Sequence, residues 1–249
     1  MKNSQTFTSE TGHYALYRPR YPDDLFAFLS GLCHYHYRAW DCATGNGQAA
    51  VALARFFSQV DATDISPEQL QQGYPHPRVK YSPAPAEKTD FSDTSFDLVT
   101  VAQAVHWFDL PRFFAETDRV LRSGGILALF GYKFPEVDPR TDTVITRELL
   151  DRVDPYWADG NRMLMNDYAE IQLPFPAVPV PGRYFIKVEW DLYHLAGYFN
   201  TWSAVKRYSA VHGTGLMETL IEALTPFWGD PRNSRQISMP VVLKAGRKP

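Results

Sequence analysis

The run Trp40-Asp41-Cys42-Ala43-Thr44-Gly45-Asn46-Gly47-Gln48, followed by Gln59-Val60-Asp61-Ala62-Thr63-Asp64-Ile65, restricts the fold more than any other part of the chain. It reads as a strand ending near Asp41, a glycine turn, a helix, and a second strand whose last residue is a carboxylate. That is the pattern of a nucleotide-binding βαβ unit. Gly45 and Gly47 permit positive φ and a close backbone approach that a Cβ would prevent. Asp64, at the tip of the second strand, is placed to accept both hydroxyls of an unphosphorylated ribose.

Two ligand classes satisfy this layout. Gly45-x-Gly47-x-x-Ala50 also matches the dinucleotide pattern with alanine in third place, so a nicotinamide-dependent oxidoreductase is one alternative. Asp41 argues against it, because a carboxylate immediately before the turn repels a pyrophosphate and attracts an ammonium group. S-adenosylmethionine carries an amino group, a carboxylate, a ribose and an adenine, so acids at Asp41 and Asp64 suit it at two separate points. A protein that binds this cofactor without catalysis is a further alternative that the residues leave open.

With these residues the chain resembles the class I S-adenosylmethionine-dependent methyltransferases, whose first motif runs acid-x-Gly-x-Gly-x-Gly. Ala43 stands at the first glycine position, where an extended strand end is expected to tolerate its methyl group. Three later stretches resemble that family in the same order: Pro83 to Phe91 as the loop after the third strand, Ser95 to Asp109 as the fourth strand and its loop, and Leu121 to Phe130 as the turn into the fifth strand. Tyr14 to Pro22, Thr201 to Val205 and Val241 to Lys248 are similar to a narrower branch that includes trans-aconitate methyltransferase-like enzymes.

The resemblance implies a Rossmann-like α/β fold. Its seven-stranded doubly wound sheet is mostly parallel with an antiparallel last strand, and a helical cap follows the fifth strand. Residues 1–249 then form a single methyltransferase domain: a leader covering the cofactor (1–37), a cofactor-binding core (38–130), a cap that also completes the sheet (131–234), and a final strand and tail (235–249). S-adenosylmethionine is the implied cofactor, S-adenosylhomocysteine the product, and no metal is expected. Asp41, Ala43, Gly45, Asn46, Gly47 and Gln48 would contact the cofactor at the turn, with Asp64 and Ile65 at the ribose. Ala86 and Glu87 would lie beside the adenine, and Gln103 and Ala104 against the methionine portion. Tyr14, Tyr17 and Arg18 would fold across it, the arginine fork suiting the methionine carboxylate. His106 and Trp107 would line the acceptor pocket, His106 shaping it more than acting as a base.

Composition narrows the partners. With 249 residues, 45% of them hydrophobic, the chain suits one domain with an elaboration. A net charge of −3 offers no basic field for a polyphosphate backbone, so nucleic acid is not an expected partner. Met1 to Thr6 is polar and no apolar stretch has membrane length, so a cytoplasmic protein without membrane contact is expected. Cys33 and Cys42 support neither a disulfide framework nor a zinc site and read as buried thiols. The expected partner is a small-molecule acceptor, its identity and the oligomeric state being open. An ionised carboxylate, the acceptor type of the trans-aconitate branch, needs no base.

Strand-like runs occupy Arg38 to Cys42, Gln59 to Ile65, Val79 to Ser82, Phe96 to Ala102, Gly125 to Phe130, Tyr184 to Trp190 and Gln236 to Ala245. Helical spacing covers Gln48 to Phe57, a segment starting at Ser66-Pro67, Leu110 to Leu121 with a stop at Gly124-Gly125, Glu136 to Val153, Leu192 to Tyr208 and Leu216 to Leu224. Pro174, Pro176, Pro179 and Pro181 predict a connector that is neither helix nor central strand. The aromatic residues Tyr198, Trp202 and Tyr208 are expected to divide between core and pocket. Asp154-Pro155-Tyr156 resembles part of the motif of amino-methylating DNA enzymes, but it lies far from the fourth strand and is read as chance.

Overall fold

A computed structural model describes residues 17–249 of the protein. β1 (Arg38–Cys42), β2 (Gln59–Asp64) and β4 (Phe96–Ala102) are buried over almost their whole length, as strands of a parallel sheet covered on both faces must be. β1 pairs in parallel with β2 and β4, β2 with β3 (Val79–Pro83), and β4 with β5 (Leu121–Tyr132). β7 (Arg235–Arg247) runs antiparallel to β5, and with β6 (Tyr184–Trp190) the strand order is β3-β2-β1-β4-β5-β7-β6. The chain winds outward from β1 to β3 and then crosses back to β4. Ligands of open α/β sheets bind outside the carboxyl ends of the strands at such a reversal, here beyond Cys42 and Ala102.

Two compact units interleave along the sequence. Residues 20–133, 163–185 and 241–249 form the first, and residues 17–19, 134–162 and 186–240 the second. In the first unit the two-residue period of the strands sends Trp40, Val99 and Leu127 to one face and Ala39, Leu98 and Ile126 to the other. α1 (Asp23–Gly31) and α2 (Gln48–Leu53) cover the second of these faces through Leu25, Leu29, Ala50 and Leu53. α3 (Pro67–Gln71) begins with the Ser66 side chain accepting from the Gln69 N–H. α4 (Leu110–Val120) covers the opposite face with Phe113 and Val120.

Several helix boundaries depart from the sequence expectation, among them Leu216 to Leu224, which runs on to Trp228, and three have a local reason. α2 ends at Leu53 because the next N–H groups, of Arg55 and Phe56, bond three residues back and tighten the final turn. α4 passes directly into β5 at Leu121, and Gly124, at φ 79°, lies inside that strand opposite a register shift between Phe96 and Leu98. The glycine pair therefore makes a strand irregularity and not a helix stop. In the second unit the helix expected over Leu192 to Tyr208 is two, α7 (Leu192–Asn200) and α8 (Ser203–His212), because Trp202 turns extended at ψ 137°.

That unit also holds α5 (Pro139–Ile145), capped by Asp138 through the N–H groups of Arg140 and Thr141 and continued by a π turn at Thr146–Leu150 and a last turn at Asp151–Val153. α9 (Leu216–Trp228) lies in the same unit, and α6 (Asp159–Met165), for which the sequence shows no helical spacing, crosses the division between residues 162 and 163. Residues 174–181 contain neither helix nor strand, only a bridge from Ala177 to Gly246. Among the described residues no helix is long and apolar enough to cross a membrane.

Candidate functional site

The glycine turn at the end of β1 is held by its own neighbours. Gly45 and Gly47 take φ of 57° and 85°, and Ala43 takes 53°. This corrects the expectation of an extended strand end at Ala43: the residue is left-handed, a conformation that costs an alanine more than the family's glycine. The Thr44 N–H donates to Thr63 O at 2.9 Å and the Gly47 N–H to Thr44 O at 3.0 Å, which closes the turn against β2. Asn46 O accepts from the Tyr74 N–H at 3.0 Å, and Gln48 opens α2.

Asp64 ends β2 as the sequence implies. Its Oδ2 accepts from the Gly45 N–H at 2.9 Å and its Oδ1 from the Ser66 N–H at 2.9 Å. Each carboxylate oxygen carries two lone pairs, so both can still accept from a ligand hydroxyl. Ile65, the next residue, is 66% exposed, which puts an apolar face beside that carboxylate.

Asp41 behaves differently from the expected ammonium contact. The carboxylate is 1% exposed, and its two oxygens accept from Thr44 Oγ1 at 2.5 Å and Thr100 Oγ1 at 2.8 Å. Burial without a cation pushes its pKa up to about 6, against the opposing pull of the two threonine hydroxyls. These two bonds make Asp41 the fastener between the turn and β4. Thr44 and Thr100 thus hold the carboxylate beside the glycine turn; the sequence marks neither as a site residue, and the one signal for Thr100 is a polar residue within the apolar run Leu98 to Val101.

On the other side of the strand reversal, Gln103 follows β4 in a left-handed conformation at φ 57°. Its N–H donates to Phe130 O at 2.9 Å, and its Nε2 to Tyr132 O at 3.4 Å. Ala104 leads into a 3₁₀ turn at Val105–Trp107 that carries His106 against the Trp107 ring, centroids 4.9 Å apart. His106 Nδ1 is buried with no hydrogen-bond partner among the described residues, and burial lowers its pKa to about 4. A neutral, weakly basic imidazole results. Ala86 is 5% exposed, and Glu87 Oε1 accepts from the Asp109 N–H at 3.0 Å, tying the loop after β3 to the start of α4.

Tyr17 and Arg18 belong to the second unit. Tyr17 packs edge-on to His194 at 5.0 Å and fills the space beside Gly197, while Arg18 lies over the Tyr198 ring at 5.4 Å. Tyr14 lies outside the described residues. Trp202 and Tyr198 are buried in that unit, whereas Tyr208 packs on Tyr156 and His212 nearer its surface. Cys33 and Cys42 are buried free thiols with raised pKa, the burial of each being the main cause. Among the described residues no group of three His, Cys, Asp or Glu side chains could hold a metal ion.

Comparison with known proteins agrees with this geometry. A methyltransferase domain family matches residues 40–129, from β1 into β5. A solved Anaeromyxobacter dehalogenans structure, described as a type II methyltransferase, is 37% identical and superposes with a TM-score of 0.87 over 92% of this chain and 97% of its own. A Dictyostelium discoideum protein described as a methyltransferase is 29% identical over 99% of this chain and 96% of its own. Saccharomyces cerevisiae CRG1, described as an S-adenosylmethionine-dependent methyltransferase, is 27% identical over 51% of this chain and 47% of its own.

Proposed function

Because the chain belongs to the class I S-adenosylmethionine-dependent methyltransferases, we propose that it methylates a small molecule whose nucleophile arrives already deprotonated, as an ionised carboxylate does. The residues of the first unit fit the cofactor. The left-handed Gly45 leaves backbone without a Cβ at the turn while Gly47 lets the Tyr81 ring close against it, the lone pairs of Asp64 match a ribose diol, and the exposed Ile65 offers an apolar face to a purine. When bound, the cofactor supplies an electrophilic methyl group on a sulfonium.

The observation that carries the acceptor class is His106. A histidine pushed down to about 4 is a poor proton acceptor at neutral pH. An acceptor that has no proton to lose asks nothing of it. The chain then contributes by holding the nucleophile in line with the methyl carbon and its leaving sulfur and by keeping water away. His106 and Trp107 act as walls in this scheme, and Ala86, Glu87 and Ala104 complete the cofactor side.

A methyl-transfer screen over small carboxylic acids, phenols and amines, read by mass, tests the proposal. Methyl esters are the expected products. Transfer confined to phenols or amines would overturn the carboxylate assignment, and S-adenosylhomocysteine formation with no small acceptor in the panel would overturn the small-molecule one.

A further inference from the structure

At the carboxyl ends of β4 and β5, one strand beyond the reversal, two side chains are held with a polar atom unused. Gln103 Oε1 and the Tyr168 hydroxyl are buried, and neither has a hydrogen-bond partner among the described residues. Both point at Gly131 in β5. A Cβ there would lie 2.5 Å from Gln103 Oε1, 2.7 Å from Leu164 Cδ1, an apolar wall beside the pair, and 3.1 Å from the Tyr168 oxygen. Glycine at 131 therefore serves this convergence and not a turn, since its φ is not positive.

The surroundings fix both groups. Donation from Gln103 Nε2 to Tyr132 O at 3.4 Å sets which end of the amide faces inward, leaving the acceptor oxygen against Gly131. Tyr168 is fully buried and left-handed at φ 53°. Its N–H donates to Met163 O at 2.7 Å, and its carbonyl accepts from Lys244 Nζ at 2.7 Å, the same ammonium that holds Ile171 O at 2.7 Å. The backbone is thus over-determined while the hydroxyl is left unsatisfied. A strained conformation together with an orphaned buried hydroxyl costs stability, and folds retain such groups chiefly where a ligand uses them.

The chemistry of the pair defines what fits. Gln103 Oε1 only accepts. The Tyr168 hydroxyl donates and accepts, and burial raises its pKa, so it keeps its proton. One hydroxyl can donate to the first and accept from the second, and a primary carboxamide can do the same with its two ends. A carboxylate would meet the Gln103 lone pairs, and an ammonium would find no counter-charge in the pair.

We propose that Gln103 and Tyr168 form an uncharged clamp that recognises a hydroxyl or carboxamide on the methyl acceptor, separate from the group that is methylated. The proposal rests on the methyltransferase reading of the neighbouring strand ends. Sequence alone gave no sign of Tyr168, since nothing in Asn166-Asp167-Tyr168 marks a left-handed tyrosine.

The test uses the full chain, with and without saturating S-adenosylhomocysteine, and compares binding of benzyl alcohol, benzamide, benzoate and toluene by ligand-observed NMR. The clamp predicts that the alcohol and the amide bind roughly tenfold or more tightly than toluene, the size of effect a lost hydrogen-bond partner produces, while benzoate reports separately on the place of the group that is methylated. In Tyr168→Phe that preference should fall to within about threefold. The variant's melting temperature should match or exceed that of wild type, because the hydroxyl it removes has no partner to lose. Equal binding of the alcohol, the amide and toluene, a preference that survives in Tyr168→Phe, or a fall of several degrees in the melting temperature of that variant would each overturn the clamp. Failure to bind S-adenosylhomocysteine would instead sink the methyltransferase reading, and the probe series without it still decides the clamp.

Discussion

Asp61 and Asp97, toward the amino ends of β2 and β4, are as buried as Asp41 at the carboxyl end of β1, with exposures of 2%, 4% and 1%. Their company differs. Asp61 accepts from Arg38 Nε at 2.6 Å and Gln59 Nε2 at 2.9 Å. Asp97 accepts from Arg122 Nη1 at 2.5 Å and from the N–H groups of Tyr37 and Arg38 at 2.8 and 2.9 Å. Asp41 has two threonine hydroxyls and no cation. At the carboxyl ends the first unit also keeps left-handed Ala43 and Gln103, an unpartnered His106 nitrogen and the open pair over Gly131. One end of the sheet spends its polar groups on holding strands together. The other leaves a carboxylate without a cation and polar atoms without partners, at a cost in stability, which is where a fold is expected to break its own rules.

The largest effect should come from breaking the satisfied end. Asp97→Ala leaves the Arg122 guanidinium and two backbone N–H groups without their acceptor, and a loss of about 3–5 kcal/mol in denaturant unfolding is expected. A loss below about 1 kcal/mol would mean that the two ends do not differ as described.

Asp41 should respond to pH in the opposite sense from a paired carboxylate. Its pKa in the fold, about 6 against an ordinary 3.8, means the folded protein binds that proton more tightly than the unfolded chain. The stabilisation is fully present below the ordinary value and is lost as pH rises through about 6. Asp41→Asn cannot titrate. Wild type should therefore lose about 2–3 kcal/mol relative to this variant between about pH 4 and 6.5 in denaturant unfolding. A difference independent of pH, or one that changes with the reverse sign, would remove Asp41 from the strained end.

His106 gives the smallest expected effect. His106→Asn and His106→Gln should each keep methyl transfer within about tenfold of wild type. The wild-type rate should show no limb near the ordinary histidine value of 6.5, because burial has moved this group down to about 4. A fall of about 10²-fold or more in both variants, with cofactor affinity intact, would make His106 a base and redirect the search to hydroxyl acceptors.

The satisfied parts of the fold were largely legible in the sequence. β1 and β4 begin and end where apolar spacing puts them, because strands buried on both faces leave long apolar runs, and β6 does so through its alternation, with Ile186 and Trp190 buried and Lys187 and Glu189 exposed. The Ser66 cap and the acid closing β2 were equally readable, since each depends on a residue's own backbone neighbours. What sequence could not supply depends on contacts made across long separations. Thr100 meets Asp41 across 59 positions, and Tyr168, its carbonyl held by Lys244 from the far end of the chain, lies against Gly131. Ala43 misled for a related reason, because its left-handed φ is imposed by the turn and contradicts its own preference. The break at Trp202 follows from burial of that ring against Phe199 and Tyr198, 4.8 and 5.6 Å away, a tertiary demand that helical spacing does not record.

The central claim, that the carboxyl ends of β1 and β2 form an S-adenosylmethionine site, is tested most directly by calorimetric titration of S-adenosylmethionine into wild type and Asp64→Ala, with NAD titrated alongside. One cofactor should bind per chain, with no comparable binding of NAD and with affinity weakened in the variant by roughly 1.5–3 kcal/mol, or about 10- to 150-fold. Binding of NAD in preference to S-adenosylmethionine, or an Asp64→Ala variant that binds the cofactor as tightly as wild type, would contradict that claim.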